Sequence, residues 1–270
     1  MPTYRLTLEY EGTRYHGWQE QKNARSVAGE LRRALEEAGA PVRELGGSGR
    51  TDAGVHALAQ VAHLRLAREV DPEPFRRAVN DRLPADVHVL ALDAAPDRFH
   101  SRHDAVTRSY LYQISRRRTA LAKRFVWWVK RPLDERKMAE AAALLAGKHD
   151  FRLFCERPAE QPSTLVVVES AEVAVDGALI LVRLAASHFL WKMVRRVVGT
   201  LVQVGAGELD RRGFEALLSA RVPKSGKGLP AEWTAPPSGL FLEKVLYEGD
   251  PPLGPVAPII SVSDEGRNFQ

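Results

Sequence analysis

The residues best equipped for chemistry lie in one run, Gly46-Gly47-Ser48-Gly49-Arg50-Thr51-Asp52-Ala53-Gly54-Val55-His56-Ala57. Glycines at 46, 47, 49 and 54 let the backbone take conformations closed to other residues and let a ligand come close. Asp52 stands two residues from Arg50. With a reference pKa of about 3.9, such a carboxylate is ionised at neutral pH unless buried without a partner, so it is available as a nucleophile or a base. A dinucleotide fingerprint fails here. Gly47-Ser48-Gly49 lacks the third glycine, and the run leads into a strand pattern instead of a helix. The phosphate-loop ending Gly-Lys-Ser/Thr is absent as well. An ordinary surface turn also fits, because Asp and Gly are turn formers. The residues alone leave both readings open.

Other clusters carry less. His100, His103 and Asp104 are close in sequence, but their spacing matches no common metal signature, so no metal is expected. His56 and His63 fall on a strand pattern and read as structural. Cys155 is the single cysteine, which excludes an internal disulfide and suits a reducing compartment. The net charge of +5 is modest, but its distribution is not even. Residues 105–133 contain no Asp or Glu, yet hold Arg108, Arg116, Arg117, Arg118, Lys123, Arg124, Lys130 and Arg131. A long segment of one sign suits a polyanion; a solvated basic face is the plain alternative. Phe125, Trp127 and Trp128 interleave with these cations, and the two tryptophans equally suit a core or an interface between subunits.

The elements that position these residues follow from periodicity. Tyr4, Leu6, Leu8 and Tyr10 alternate with polar residues, as in a strand. Residues 26–38 form a helix pattern with Val27, Leu31 and Leu35 on one face, ended by Gly39. Residues 46–54 read as a loop, 55–66 as a strand, and 86–92 as another. Between the last two, a helix begins at Asp71-Pro72 and stops before Pro84. In the second half, 109–115 is a strand, and a helix runs from Asp134 to Gly147. Asp176-Gly177 turns a hairpin of 164–175 and 178–185. Helices are expected over 188–204 and 210–220, and a last strand over 240–247. After Gly249 the pattern loses its period. The expectation is an α+β protein with lobes at 1–105 and 106–248 and a tail at 249–270. At 270 residues and 44% hydrophobic content the chain can build this core unaided. No run of about 18 apolar residues marks a membrane span. The first residues alternate and show no signal-peptide pattern, so the expected location is the cytoplasm.

The run from Gly47 to Ala57 resembles the signature of the tRNA pseudouridine synthase A family. The resemblance extends in order along nearly the whole chain. Its further blocks are Tyr10 to Gln21, Phe99-His100-Ser101-Arg102, Arg108-Ser109-Tyr110-Leu111-Tyr112, Phe189 to Arg195 with Gly199, and Ala235 to Leu242. The chain departs from the family's usual pattern at Trp191-Lys192, at Arg196 and at His103.

The resemblance implies the pseudouridine synthase fold, two lobes of mostly antiparallel sheet backed by helices, with the catalytic cleft between them. It implies conversion of uridine to pseudouridine at positions 38, 39 and 40 of the tRNA anticodon stem-loop, with no cofactor, by a homodimer. Asp52 is then the catalytic group, either attacking ribose C1′ or removing a ribose proton. Arg195 keeps that carboxylate charged, and Tyr110 stacks on the extruded base with Leu240 packing on its other side. Arg50 props open the vacated stack or meets a phosphate. Arg116, Arg117, Arg118, Lys123 and Arg124 hold the RNA backbone, while Tyr112 is expected in a core. Two rivals remain at this stage. A non-catalytic RNA-binding protein on a similar scaffold would bind RNA without depending on Asp52. A nucleotide-binding enzyme would need a phosphate motif that the sequence lacks.

Overall fold

The computed structural model describes residues 1–156, 163–222 and 226–264. In chain order the elements are β1 (Thr3–Tyr10), α1 (Val27–Glu37), β2 (Val42–Gly47), β3 (His56–Leu66), α2 (Pro72–Asn80), β4 (Val87–Ala95), β5 (Ala105–Ser115), β6 (Trp127–Trp128), α3 (Glu135–Ala143), β7 (Gly147–Asp150), β8 (Leu165–Asp176), β9 (Leu179–Ala186), α4 (Met193–Gly205), α5 (Arg211–Leu218) and β10 (Leu240–Tyr247). They form two compact units. One comprises Met1–Val106 with Phe241–Pro251, the other Thr107–Leu240 with the segment from Pro252.

In the first unit β3 has β1 and β2 as antiparallel partners, and β1 also pairs antiparallel with β4. The far end of the chain adds a parallel partner, with Phe241 opposite His56 and Leu242 opposite Ala57. The alternation read in the sequence places Leu6 and Leu8 in the core, fully buried. Helix α1 starts at Ser26, whose hydroxyl accepts the Gly29 N–H, and buries Val27, Leu31 and Leu35. Helix α2 carries Pro at its first position and buries Phe75 and Val79.

Strand β2 departs from the sequence expectation, since Gly46 and Gly47 are its last residues and not part of a loop. Glycine is a poor strand former, and aromatic rings explain its use here. A Cβ at Gly46 would meet the His63 ring at 2.4 Å, and one at Gly47 would meet the Trp18 indole at 2.6 Å. The rings occupy the space a side chain would need.

In the second unit β9 lies between β5 and β8, and β8 pairs onward with β7, all antiparallel. The hairpin joining β8 and β9 turns at Gly177, at φ +50°. Every residue of β9 is buried, including Arg183. That charge is met by the Glu172 carboxylate at 2.8 Å and the Gly254 carbonyl at 2.7 Å. Helix α3 packs on β8 and on α4 and α5. Helix α4 begins at Met193 and not at residue 188, because Lys192 adopts the left-handed conformation (φ +61°) and breaks the apolar stripe before it can wind. Beyond Gly249 no helix or strand forms among the described residues, as the sequence suggests, yet this segment is packed. Val262 is buried against Leu111, Val126, Leu179 and Leu181, with Ile259 and Ile260 beside it. Residues 265–270 of the expected tail lie outside the described residues.

Val262→Ala should therefore lower the stability of the second unit by about 2 kcal/mol, the combined transfer and cavity cost of two methyl groups. A urea titration of the full chain reads this as an earlier midpoint; an unchanged midpoint would show that the segment contributes no core.

Candidate active site

The loop between β2 and β3 carries Arg50 and Asp52, and the chain around it is built to hold it still. Two strands fix its ends: the Ser48 N–H donates to the Val61 carbonyl at 2.8 Å, and β3 begins at His56. The amide of Gln60, fully buried in β3, donates to the Gly49 carbonyl at 2.8 Å. The Tyr10 hydroxyl shares a buried hydrogen bond with Thr51 Oγ1 at 2.8 Å. Burial pushes the Tyr10 phenol up to about 12, so it stays protonated at any physiological pH and the hydrogen bond keeps its proton.

Backbone contacts add a second set of restraints. The Trp18 N–H donates to the Thr51 carbonyl at 3.1 Å, and the Gly54 N–H donates to the Tyr15 carbonyl at 3.2 Å. The Gly12 N–H donates to His56 Nδ1 at 3.0 Å, which places the proton of the neutral ring on Nε2. Close approach requires glycine on the N-terminal side. A Cβ at Gly12 would lie 1.9 Å from the Val55 carbonyl oxygen, and one at Gly17, at φ +91°, would lie 2.3 Å from the Thr51 carbonyl oxygen. The Gly17 and Trp18 carbonyls accept from Val27 and Ala28, so the same segment is tied to the first turn of α1. The Tyr15 hydroxyl donates to Asp86, and Arg25 lies over the Tyr15 ring at 4.8 Å.

Within this frame Asp52 is half-buried and its carbonyl accepts the Val55 N–H at 3.1 Å, closing a turn with Gly54 at φ +78°. Arg50 is exposed and makes no hydrogen bond or ion pair among the described residues. The loop thus presents a carboxylate and a solvent-facing guanidinium two residues apart on a fixed backbone.

The second unit holds the other residues singled out in the sequence. Tyr110 on β5 is buried, with its ring edge-on to Phe189 at 5.0 Å. Tyr112 is fully buried and donates to the Pro236 carbonyl at 2.7 Å, which makes it a core residue as expected. Arg195, in the first turn of α4, donates from Nε to the Ala235 carbonyl at 2.7 Å and accepts the Ala235 N–H on its own carbonyl at 3.0 Å. Burial raises the Tyr112 phenol well above its usual pKa, and the positive charge of Arg195 opposes that rise. Leu240 is buried at the start of β10, directly after a short 3-10 turn, Pro237–Gly239.

The basic run divides in two. Arg108 is buried and donates to the Ser187 carbonyl at 2.7 Å, so it is internal. Arg116 donates to the Gly177 carbonyl and Arg117 to the Ser263 carbonyl, each at 2.7 Å. Arg118, Lys123 and Arg124 are exposed.

One ionic group was not legible in the sequence. Glu156 accepts from Lys192 Nζ at 2.5 Å and from Arg196 Nη2 at 3.5 Å, and its N–H donates to the Trp191 carbonyl at 3.0 Å. The Lys192 hydrogen bond holds the Glu156 carboxyl below its usual pKa. This group fixes the entry to α4, one turn from Arg195. Glu156 is far from the two cations in the chain, so no local pattern joins the three.

Glu44, His63 and His100 bring donor atoms within 4.8 Å of one another. The arrangement does not suit a metal ion. The His63 and His100 rings lie against each other, with centroids 4.3 Å apart and planes tilted by 42°. His100 Nδ1 accepts the N–H groups of Arg102 and His103, which leaves the ring proton on Nε2. Both nitrogens of His63 are already engaged, one with Ser101 at 2.9 Å and the other with Glu44 at 3.1 Å, a structural role like that of His56.

The family model described as tRNA pseudouridine synthase matches residues 7–104 and 141–248 of the chain. The chain is similar to three proteins named tRNA pseudouridine synthase A. That of Rhodopseudomonas palustris (strain BisA53) is 42% identical over 251 residues, covering 92% of this chain and 100% of its own. That of Sinorhizobium fredii is 41% identical over 252 residues, with coverage of 92% and 100%. That of Beijerinckia indica is 43% identical over 251 residues, with coverage of 92% and 94%.

Gly17→Ala should strain the backbone and push the Thr51 carbonyl away. The expected cost is about 2 kcal/mol or more of stability, with faster amide exchange at Gly54. Thermal melting and hydrogen exchange measure both; wild-type protection at Gly54 would show that the loop does not depend on this contact.

Proposed function

The chain belongs to the tRNA pseudouridine synthase family, and on that footing we propose that it isomerises uridine to pseudouridine at positions 38, 39 and 40 of the tRNA anticodon stem-loop, with Asp52 as the catalytic group. The observation that carries the assignment to Asp52 is the loop itself: a half-buried carboxylate on a backbone fixed by Tyr10, Gly12, Gly17, Trp18 and Gln60. A reacting group must be held in place for catalysis, and this backbone is held.

The chemistry needs little more than that. The C1′–N1 glycosidic bond breaks, the uracil turns, and a C1′–C5 bond forms. The proton lost from C5 is balanced by the one gained at N1. No electron leaves and no group is carried away, so the reaction balances with the nucleotide's own atoms. Asp52 either attacks C1′ or takes a ribose proton; both roles need an ionised carboxylate close to the sugar. The target must first leave its stack, at a cost of a few kcal/mol. Tyr110 then offers a ring for the extruded base, worth about 1–3 kcal/mol, with Leu240 on the other side of the base and Arg195 as the cation that keeps the reacting carboxylate charged. Arg50, exposed on the same loop as Asp52, meets a phosphate or fills the vacated stack.

The surface of the second unit supports backbone binding by Arg118, Lys123 and Arg124. Arg116 and Arg117 add positive charge while also bracing the packed C-terminal segment, Arg117 through the Ser263 carbonyl and Arg116 through Asp264 at 3.6 Å. We place the enzyme in the cytoplasm as a homodimer without a metal. No described helix is long and apolar enough to cross a membrane.

Two outcomes test the reading. Asp52→Asn should lower pseudouridine formation in unmodified tRNA by about a thousandfold or more while changing tRNA affinity little. Chemical mapping of the product locates the modified uridines, and near wild-type turnover would remove Asp52 from the mechanism. Replacing Arg118, Lys123 and Arg124 with Gln should weaken tRNA binding and flatten its salt dependence by about 0.7–0.9 for each phosphate no longer neutralised. A slope identical to wild type would place these side chains off the RNA path.

A further inference from the structure

We infer that the hollow beside Trp128 is a second nucleotide-stacking site, which takes an unpaired base of the bound RNA other than the reacting uridine. The inference rests on the proposed tRNA substrate and extends it beyond the nucleotide that reacts.

The hollow is lined by Trp127, Trp128, Val129, Lys130, Arg131 and Val202. Val129 and Val202 are buried and form an apolar floor. Trp127 turns inward, edge-on to the Tyr112 ring at 6.2 Å. Trp128 does the opposite and leaves 41% of its surface open. It is not a loose side chain on a loop tip. Strand β6 pairs with β5, Ser115 opposite Trp128, and the Val129 N–H donates to the Ser115 carbonyl at 3.1 Å. A large aromatic ring on a fixed strand with an open surface is a stacking platform.

The charges around it define the partner. Arg118 sits over the Trp128 ring at 5.9 Å. Arg131 is held by Gln203 at 2.8 Å and Glu208 at 3.6 Å, which fixes its guanidinium on the rim. Lys130 is exposed and makes no hydrogen bond or ion pair among the described residues. The hollow grows from the segment, residues 105–133, that contains no acidic residue. A base on the indole brings its own phosphates, and Lys130 and Arg118 are the cations to meet them. A second copy of the chain is the other conceivable occupant. Away from a two-fold axis the patch would have to meet an acidic or apolar surface of the other copy, and directly on the axis it would meet its own cations, which is unfavourable; an RNA strand brings both a base for the ring and phosphates for the cations. The polyanion is the better fit.

The test uses the full-length protein and unmodified tRNA. Trp128→Ala should raise the dissociation constant about tenfold, within the range of about 5- to 150-fold expected for one stacked base, and Trp128→Phe should stay within about threefold of wild type. A short oligouridylate should quench indole emission in the wild type, and that part of the quench should be missing in Trp128→Phe. If Trp128→Ala unfolds the protein, Lys130→Glu leaves the rings intact and should weaken tRNA binding in the same direction. Unchanged affinity in the folded Trp128→Ala protein, or in Lys130→Glu, would overturn the proposal. So would a change in oligomeric state on sedimentation with oligouridylate quenching intact, since the face would then be an interface between copies. Running Asp52→Asn alongside separates the two readings: persisting isomerisation in that variant rejects the role of Asp52 but leaves the Trp128 measurement standing. A protein that binds no tRNA at all would reject both.

Discussion

The architecture of the first unit turns on a contact between two stretches of backbone with no side chain between them. Residues 12–18 press against residues 51–55 closely enough that a methyl group at Gly12 or Gly17 would overlap a carbonyl oxygen. Hydrogen bonds alone would leave such a loop free to breathe, since each contributes only about 1 kcal/mol net. Steric contact on one side and the Tyr10–Thr51 and Gln60–Gly49 bonds on the other remove that freedom. The strands that supply Tyr10 and Gln60 are themselves neighbours in register, Leu8 opposite Gln60 and Tyr10 opposite Ala57. The precision of the loop is therefore inherited from the sheet, which is the stiffest part available. Because the same short stretch also starts α1, any change that moved the helix would be felt at Thr51.

The second unit meets its requirements with charge instead of glycine. Arg183 is buried in the middle of β9 and is satisfied by one carboxylate and one carbonyl. Lys192 takes a left-handed conformation that costs about 1 kcal/mol, and its ammonium is held by Glu156, which also faces Arg196. Removing one partner of such a pair would leave the other as a partly desolvated charge without compensation. The outward charges show the contrary pattern. Around Trp128, Arg118 and Lys130 are exposed and their own segment holds no acidic residue, while Arg131 takes Glu208 from beyond it, at 3.6 Å.

Much of this was legible in the sequence, and the reasons differ by element. The α+β class, the strand at the N-terminus and helix α1 follow from alternation, a 3.6-residue stripe and the Ser26 cap, all local signals. The order of sequence blocks marked the Asp52 loop and the family. What could not be read was long-range. Strand β2 hides because its Gly46-Gly47 end looks like a loop until the rings of His63 and Trp18 are placed over it. Helix α4 looks as if it begins five residues earlier than it does, since nothing in the string His188 to Lys192 announces the backbone reversal at Lys192. The segment after Gly249 reads as a tail because its anchor points, Val256, Ile259, Ile260 and Val262, follow no period; they are spaced by the surface they cover. The partners that fix Asp52's loop, Tyr10 and Gln60, are some forty residues upstream and eight downstream, with nothing in the intervening string to join them.

The parallel strand β10 gives the first unit a peculiar biosynthetic history. Its first 106 residues emerge from the ribosome long before Phe241–Pro251, which belong to the same unit. At about 5–20 residues per second, roughly 7 to 27 seconds separate the two events. During that interval the nascent segment has the lining of its Asp52 loop but not Phe241, whose ring later stacks on His56 at 4.8 Å. The first unit is thus begun at the start of translation yet waits for a late strand, and the Asp52 loop receives its last neighbour only after strands β5 to β9 have been made.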